Sequence, residues 1–450
     1  ADAFYLQQDG MVDDLIKQLP RVLLKDNGDI YVDGRKVDYL RLNGKDFFKG
    51  NNQALLENIP FYTVKNIQVY ERTTDKSSYL EYNTEKKDYV LDVNLKREYS
   101  QGYMANIEAS EGTKDRYSAR GFGLRFTENS RFSIFSNLNN INEYRKPGSD
   151  VDWTPSNAPQ GRCDTKKVGM DLFIDDKDQR FTEKAYSQLS WKDDDYQQRE
   201  ASENYITAIT NCIYKESVSR SKNLSFNMTN DFMLKKPIWI RSLTYVSYDH
   251  SKNSPWSRGA ILNSNLDYLG GTHEALDSIY KKVLTPTLRS MIASRNRTIT
   301  KDNSDNLYAN EQFNISKRLP WGDDLDLSCD LSYQNSNTKN YRQYRADFLQ
   351  AGYPSSFSNQ YTNSSCSGYS YSPKIEYTMR TSSKWYFLFY ALYNQKYESK
   401  ENDLYHLDRI DGWGLGSEHS LGDLPSTRDS LLLGMDASEA DNSTYLARTT

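Results

Sequence analysis

Apolar and polar residues alternate along many segments of the chain after residue 100. A period of two is the mark of a β-strand whose two faces meet different surroundings. About eleven such segments follow residue 100, and a further one begins near Ser443. The clearest example sets Leu325, Leu327, Cys329, Leu331 and Tyr333 on one face, against Asp326, Ser328, Asp330 and Ser332. The alternation therefore predicts a mainly β fold from residue 98 to the end of the chain.

The connections between these predicted strands are alternately short and long. The short ones are Thr127–Ser130, Asp175–Asp178, Lys235–Pro237, Leu319–Asp323 and Arg380–Lys384. The long, polar ones are predicted as loops over Ile141–Lys166, Lys192–Ser217, Ser251–Asn306, Ser336–Ser367 and Glu398–Asn442. Short turns at one end and long loops at the other are typical of an outer-membrane β-barrel. The alternation alone is also compatible with a large soluble sandwich or propeller.

The faces of the predicted strands are assigned by their polarity. In a transmembrane barrel the apolar face meets lipid and the polar face meets the lumen. Phe122, Leu124 and Phe126 are assigned on this basis to the lipid side, opposite Gly121, Gly123 and Arg125. Aromatic residues near strand ends are expected to form the interfacial girdle that such barrels carry.

The first part of the chain has a different pattern. The apolar spacing from Gly10 to Leu19 predicts a helix that Pro20 stops. Asp33-Gly34 predicts a tight hairpin turn, and Asn43-Gly44 predicts a second turn. A short helix is expected over Gln53–Asn58, and strands are expected over Lys65–Tyr70 and Tyr89–Leu95. Residues 1–97 are therefore predicted to form a small α/β domain.

Composition narrows the class of protein. The chain has 450 residues and a net charge of −4, so it lacks the basic excess of a nucleic-acid-binding protein. Aromatic residues make up 13% of the chain, which excludes a disordered protein. Mean hydropathy is −0.83, and the most apolar run, Trp385–Tyr393, is too short for a spanning helix. A low mean hydropathy together with many aromatic residues is typical of a soluble β protein or of a transmembrane β-barrel.

Candidate chemistry is sparse. Four widely spaced Cys and four His show no metal-ligand spacing, so neither a metal nor another cofactor is expected. The nucleophile and zinc-hydrolase motifs of the common enzyme classes do not occur in the sequence. An enzyme is therefore not expected.

The segment from Leu19 to Leu95 resembles the plug domain of TonB-dependent outer-membrane transporters. The likeness lies in Leu19-Pro-Arg-Val22, Tyr39-Leu-Arg-Leu-Asn-Gly-Lys45, Asn58-Ile-Pro60 with the segment to Glu71, and Tyr89-Val-Leu-Asp-Val-Asn-Leu95. Arg21 stands where that family has Gly. The sequences of Asp29–Val37 and Asn140–Pro155 further resemble those of the Bacteroidetes branch of outer-membrane β-barrel proteins.

This resemblance implies a plug domain over residues 1–97 and a transmembrane antiparallel β-barrel from residue 98 to 450. Such transporters close with about 22 strands, so the chain is expected to be a fragment holding the plug and part of the barrel. The implied function is import of an unidentified nutrient across the outer membrane of a Gram-negative bacterium. Implied partners are outer-membrane lipid, the TonB–ExbB–ExbD energising complex and a SusD-like surface lipoprotein. A plugged barrel that serves interaction or assembly without transport is the alternative.

Two groups of residues are candidates for the functional site. Tryptophans in predicted loops could stack on a planar ligand or anchor the loops; they are Trp153, Trp256 and Trp413. Charged residues on the predicted inward face are expected to contact the plug; they are Glu108, Arg125, Asp171, Asp326 and Asp330.

Overall fold

The structure is a computed structural model. It describes residues 10–25, 28–46, 52, 56, 59–72, 87–99, 101–127, 129–142, 161–176, 178, 180–204, 211–264, 266, 270–349, 353–381, 385–435 and 441–449.

Residues 10–99 form a small α/β unit, which we name the N-terminal unit. Its helix α1 (Val12–Lys17) lies within the predicted helix and buries the apolar side chains of that segment. A three-stranded sheet follows, made of β1 (Val22–Leu24), β2 (Ile30–Val32) and β3 (Arg35–Lys36). Asp33 and Gly34 have φ angles of 51° and 79°. These left-handed values confirm the predicted hairpin turn between β2 and β3.

A four-stranded sheet completes the N-terminal unit, in the order β5-β4-β7-β6. Its strands are β4 (Tyr39–Leu42), β5 (Lys45–Asp46), β6 (Val64–Arg72) and β7 (Asp88–Leu95). The central pair β4 and β7 is parallel, and the other two pairs are antiparallel. Asp92 is buried in this sheet and accepts a hydrogen bond from the Gly44 N–H at 2.9 Å, which fixes the predicted Asn43-Gly44 turn. The helix predicted over 53–58 lies almost entirely outside the described residues.

The remaining strands form one large antiparallel sheet. They are β8 (Gly102–Gly112), β9 (Arg116–Phe126), β10 (Ser130–Asn139), β11 (Arg162–Asp175), β12 (Phe181–Asn204), β13 (Asn211–Leu234), β14 (Trp239–Asn253), β15 (Trp256–Leu262), β16 (Ile292–Arg318), β17 (Asp324–Phe348), β18 (Ser356–Arg380), β19 (Tyr386–Leu392), β20 (Asn394–His406) and β21 (Asp441–Thr449). Neighbours along the sheet follow the order β21-β20-β18-β17-β16-β14-β13-β12-β11-β10-β9-β8. β15 pairs with β13 and β16, and β19 pairs with β18. The mainly β, antiparallel fold predicted from the alternation is confirmed.

The connections confirm the predicted tight turns and correct the predicted long loops. All five predicted tight turns join consecutive strands at one end of the sheet. Two of the predicted long loops, Lys192–Ser217 and Ser336–Ser367, are largely strand where they are described, because β12 and β13 have 24 residues each and β17 and β18 have 25. Strands of this length extend well beyond the 9–11 residues that cross a bilayer. Ser251–Asn306 is strand in part, and the described residues 407–435 of the last predicted loop lie outside the strands. Polar stretches predict loops because alternation is weak where most residues on both faces of a strand are polar.

In the ranges that the structure describes, three short α-helices accompany the large sheet. Helices α2 (Thr272–Ile279) and α3 (Pro286–Met291) connect β15 to β16, and α4 (Arg428–Leu432) lies before β21. Leu276 and Ile279 of α2 pack with Cys212 and Leu262 of the strands in one buried cluster. Among the described residues, no helix combines the length and the apolar character needed to cross a bilayer.

The two faces of the large sheet have different neighbours. Phe122, Leu124 and Phe126 of β9 are buried in one cluster with the core of the N-terminal unit. We name this side the inner face and the opposite side the outer face. Arg125 is exposed on the outer face, so the predicted phase of β9 is wrong. Alternation shows which residues share one face of a strand. It does not show whether an apolar face packs against a protein core or faces lipid.

Candidate functional site

The N-terminal unit contacts the inner face of the large sheet through an apolar patch and one buried charge. Phe135 of β10 joins the shared cluster, and its ring stacks on Tyr186 of β12 with centroids 6.2 Å apart. Arg131 is 4% exposed and donates a hydrogen bond to the Leu42 carbonyl of β4 at 2.7 Å. Its guanidinium also lies 5.3 Å from the Phe173 ring. A charge-assisted hydrogen bond thus fixes the unit on the sheet.

The charged residues predicted to contact the plug have diverse positions. Asp171 is buried on the inner face, close to Arg131 and therefore to the contact with the N-terminal unit. Glu108 is on the inner face, exposed, with its carboxylate 3.1 Å from Arg120. Asp326 accepts a hydrogen bond from Ser316 on the neighbouring strand, and Asp330 is exposed. Arg125, on the outer face, lies 5.8 Å from the Tyr103 ring. The described contacts of Glu108, Asp326 and Arg125 are therefore with other residues of the large sheet.

The outer face carries a broad band of apolar side chains across neighbouring strands. Exposed fractions are 50% for Ile134, 50% for Met170, 44% for Leu331 and 47% for Ile375. We name the band the apolar belt; on β10 to β18 it includes Phe132, Ile134, Val168, Met170, Leu172, Leu189, Trp191, Leu224, Phe226, Met228, Val246, Phe313, Leu327, Leu331, Tyr333, Tyr369 and Ile375. Exposed apolar surface of this extent marks an interaction with lipid or protein.

On the side away from the tight turns, the apolar belt ends at charged or polar residues. On the outer face the belt gives way to Lys166 on β11, Asp193 on β12, Lys222 on β13, His250 on β14 and Asp305 on β16. Beyond this line the paired strands continue with mostly polar residues on both faces, apart from the outer-face patch of β13 and β15 that α2 covers. The sheet therefore has an apolar zone next to the tight turns and a hydrophilic zone, which we name the strand extension.

A groove lies on the inner face of the strand extension, over β12, β13, β15 and β16. Its volume is about 420 Å³. Its inner-face lining comprises Gln198, Glu200, Ile213, Lys215, Ser217, Ser257, Gly259, Ile261 and Asn296. Gly259 forms the floor: a Cβ there would lie 3.3 Å from the Asn296 Oδ1. Because Gly259 has no side chain, no protein atoms fill the groove at this point.

The lining of the groove combines charges of both signs with neutral hydrogen-bonding groups. Lys215 Nζ lies 4.0 Å from Glu200 Oε2, and their side chains are 60% and 48% exposed. Such an exposed pair is only weakly held, so both groups are available to a ligand. The amides of Gln198 and Asn296 and the hydroxyls of Ser217 and Ser257 supply donors and acceptors.

A buried ion network on the opposite side supports the wall of the groove. Glu216, whose side chain is 3% exposed, accepts hydrogen bonds from Arg199 at 2.9 Å and Arg258 at 2.6 Å. His273 Nδ1 of helix α2 lies 2.6 Å from the same carboxylate. Burial raises the pKa of Glu216, but the hydrogen bonds from Arg258, His273 and Arg199 outweigh burial and hold it below its ordinary value. The network fastens α2 to the outer face of the extension.

The predicted tryptophans do not line the groove in the described part of the chain. Trp153 lies outside the described residues. Trp256 begins β15 on the outer face, with the Arg258 guanidinium 5.9 Å from its ring. Trp413 is 7% exposed, and its ring stacks on His419 with centroids 3.8 Å apart. Ligand stacking by these tryptophans stays a prediction, while Trp413 packs as a loop anchor does.

Sequence reasoning missed the groove residues because they lie in stretches predicted as loops. Gln198 and Lys215 carry no signal of their own, since isolated polar residues in a polar stretch are expected at any surface. Within the described ranges, no group of three or more His, Cys, Asp or Glu side chains is arranged to hold a metal ion. The groove is therefore the candidate ligand site.

No protein-family model matches the chain, and no curated protein is significantly similar to it. Among solved structures, the chain is similar to the ferric-catecholate import receptor Fiu from E. coli K12, with 11% identity over 88% of this chain and 75% of that one and a TM-score of 0.20. The ferric yersiniabactin uptake receptor FyuA from Yersinia pestis gives 9% identity, 88% and 73% coverage and a TM-score of 0.19. The copper transporter OprC gives 10% identity, 88% and 74% coverage and a TM-score of 0.18. Scores this low leave the geometry of the chain itself as the basis for its function.

Proposed function

We propose that this chain is an outer-membrane receptor that imports a polar nutrient into a Gram-negative bacterium. The observation that carries the proposal is the apolar belt, which follows the outer face across consecutive strands between tight turns and a polar strand extension. Hydrocarbon offers no hydrogen-bond partners, so such a sheet must close within the membrane on itself or on further strands. The strand extension then faces the outside of the cell.

The N-terminal unit would act as the plug. Its contact with the inner face, through the cluster around Phe122 and the Arg131–Leu42 hydrogen bond, supports this assignment. Resemblance of the same residues to the plug of TonB-dependent transporters adds the energising partner, the TonB–ExbB–ExbD complex. In this proposal the complex displaces the unit and opens a path through the barrel.

The groove is the proposed site of first contact with the nutrient. Its Lys215–Glu200 pair and its amides suit a solute that carries an acidic and a basic group, and short peptides are the simplest members of that class. The side chains lining the groove include no aromatic ring, so it lacks the usual platform for a sugar or another planar ligand.

The membrane position is tested by cysteine labelling on β17, in a chain whose native cysteines, among them Cys329 on the outer face and Cys366 on the inner face, are replaced by Ala. Leu327→Cys on the outer face is expected to react only with a lipid-soluble maleimide, and Ser328→Cys on the inner face with a water-soluble one. The two positions are adjacent in sequence, so each is the control for the other. Rapid reaction of Leu327→Cys with the water-soluble reagent in intact membranes would contradict the proposal.

Transport is tested by uptake of radiolabelled trialanine into cells that express the protein. We expect uptake to require the energising complex and to fall at least several-fold in the double variant Lys215→Ala/Glu200→Ala. Lys222→Ala, on the outer face of β13, is the control and should leave uptake unchanged. Uptake equal to that of cells without the protein would contradict the peptide assignment. A cellular role that persists without the energising complex would favour the alternative, a plugged barrel in interaction or assembly.

A further inference from the structure

A row of hydrogen-bonding side chains interrupts the apolar belt. Asn230 of β13, Thr244 of β14 and Glu311 of β16 are direct neighbours in register on the outer face. Ser242 lies two positions from Thr244 on the same face. We name these four side chains the polar row. On β11 to β18 the charged outer-face residues within the belt are Glu311 and Glu183, and Glu183 hydrogen-bonds Asn230.

The polar row is internally ordered. The Ser242 hydroxyl donates to Glu311 Oε1 at 2.6 Å, and the Thr244 hydroxyl donates to Oε2 at 2.5 Å. Both hydroxyl protons are thus directed at one carboxylate, which is held in a fixed orientation on the half-buried outer face. At one end of the row the Asn230 amide has a second N–H besides the one that Glu183 accepts, and at the other end stands the carboxylate of Glu311.

In the proposed membrane position, the polar row lies too deep for lipid headgroups or water to be its partner. Along β16, Glu311 is equidistant from Asp305, at the border of the strand extension, and Lys317, next to the tight turn. In the membrane position proposed above, Glu311 therefore lies near the midplane of the hydrocarbon. Lipid headgroups and bulk water do not reach that depth, and an ionisable side chain there calls for a protein partner.

We infer that the polar row is the contact surface for a second copy of this chain in the membrane, an inference that rests on the proposed function. A donor amide at one end and an acceptor carboxylate at the other make the row complementary to itself under a two-fold rotation, the commonest symmetry of protein pairs. The Asn230 amide of each copy then meets the Glu311 carboxylate of the other. Hydrogen bonds between polar side chains are a recognised means of association within membranes.

Cysteine cross-linking in native membranes tests the inference. Thr244 lies at the centre of the row, so Thr244→Cys is expected to form a disulfide-linked species of twice the mass of one chain. The variant also carries Cys329→Ala, because Cys329 is a native cysteine on the same face. Met170→Cys in the same Cys329→Ala background, exposed on the belt at a comparable depth, is the matched control and should give no disulfide-linked species.

A second measurement uses the mass of the unmodified protein in mild detergent. We expect a dimer for the native chain and for Glu311→Gln, which keeps the hydrogen-bonding capacity, and a monomer for Asn230→Leu/Glu311→Leu. Cross-linking of Thr244→Cys that is no stronger than that of Met170→Cys would overturn the inference, and so would an adduct to a different protein. If the chain is not in the membrane fraction, the proposed function fails and the inference fails with it.

Discussion

At the scale of single residues, the contact between the N-terminal unit and the large sheet depends on one buried guanidinium. Removing Arg131 removes the hydrogen bond that its guanidinium donates to the Leu42 carbonyl at 2.7 Å, and hydrogen bonds to charged groups contribute about 1.5–3 kcal/mol. We expect Arg131→Met to increase hydrogen exchange of β4 while strands β12 to β18 stay protected. Arg125→Met, on the opposite face of the adjacent strand, should leave exchange unchanged; equal effects would contradict the assignment of the two faces.

Glu216 makes the attachment of α2 sensitive to acid. Its pKa is held below the ordinary 4.5 in the folded chain. A lowered pKa stabilises the fold above the unfolded value, and this contribution is lost as the pH falls through the folded value. We therefore expect proteolysis within residues 270–291 to rise as the pH falls below about 4.5. In Glu216→Gln this pH dependence should disappear, whereas Glu200→Gln should retain it.

At the scale of elements, the sequence predicts the turns well and the strand lengths poorly. The five tight turns are short segments of polar residues or of Pro and Gly, and each lies between runs of strand residues that have at least one apolar face. Beyond Trp191 both faces of β12 are polar, so no period remains to be seen there. On β13 beyond Leu224, the apolar row on the outer face is limited to Cys212, Tyr214 and Val218, which is too short a row to mark a strand. Pairing there comes from backbone hydrogen bonds that any side chain permits. The groove residues Gln198 and Lys215 were missed for the same reason.

The pairing of β10 with β11 depends on a glycine beneath an aromatic ring. A Cβ at Gly169 would collide with the Phe135 ring, which covers that position. We expect Gly169→Val to destabilise the sheet by about 1–3 kcal/mol, the usual cost of overpacking. The measurement is urea unfolding followed by the gel mobility of the folded form. Gly123→Ala is the control, because its Cβ would lie 3.5 Å from Ile134 in ordinary contact; an equal loss in both variants would contradict this account.

At the scale of the whole molecule, the belt, the strand extension and the N-terminal unit form one consistent arrangement along the strands. In the proposed membrane position, each zone follows from what its two faces meet: lipid and lumen in the belt, and water on both faces of most of the extension, where α2 covers the rest. The sequence shows the first zone through alternation but cannot tell lipid from a packed domain, as the reversed phase of β9 demonstrates.

The membrane assignment makes a prediction that reverses the usual behaviour of a surface residue. Ile375 is 47% exposed on the outer face of β18. In water an exposed Ile→Arg change is nearly neutral, but on the lipid face an Arg costs up to about 2–4 kcal/mol near the midplane. We expect Ile375→Arg to lower the amount of folded, heat-modifiable protein in the membrane. Ser372→Arg, on the inner face of the same strand, should be tolerated, because the lumen is hydrated. Normal assembly of Ile375→Arg would show that this face meets water rather than lipid.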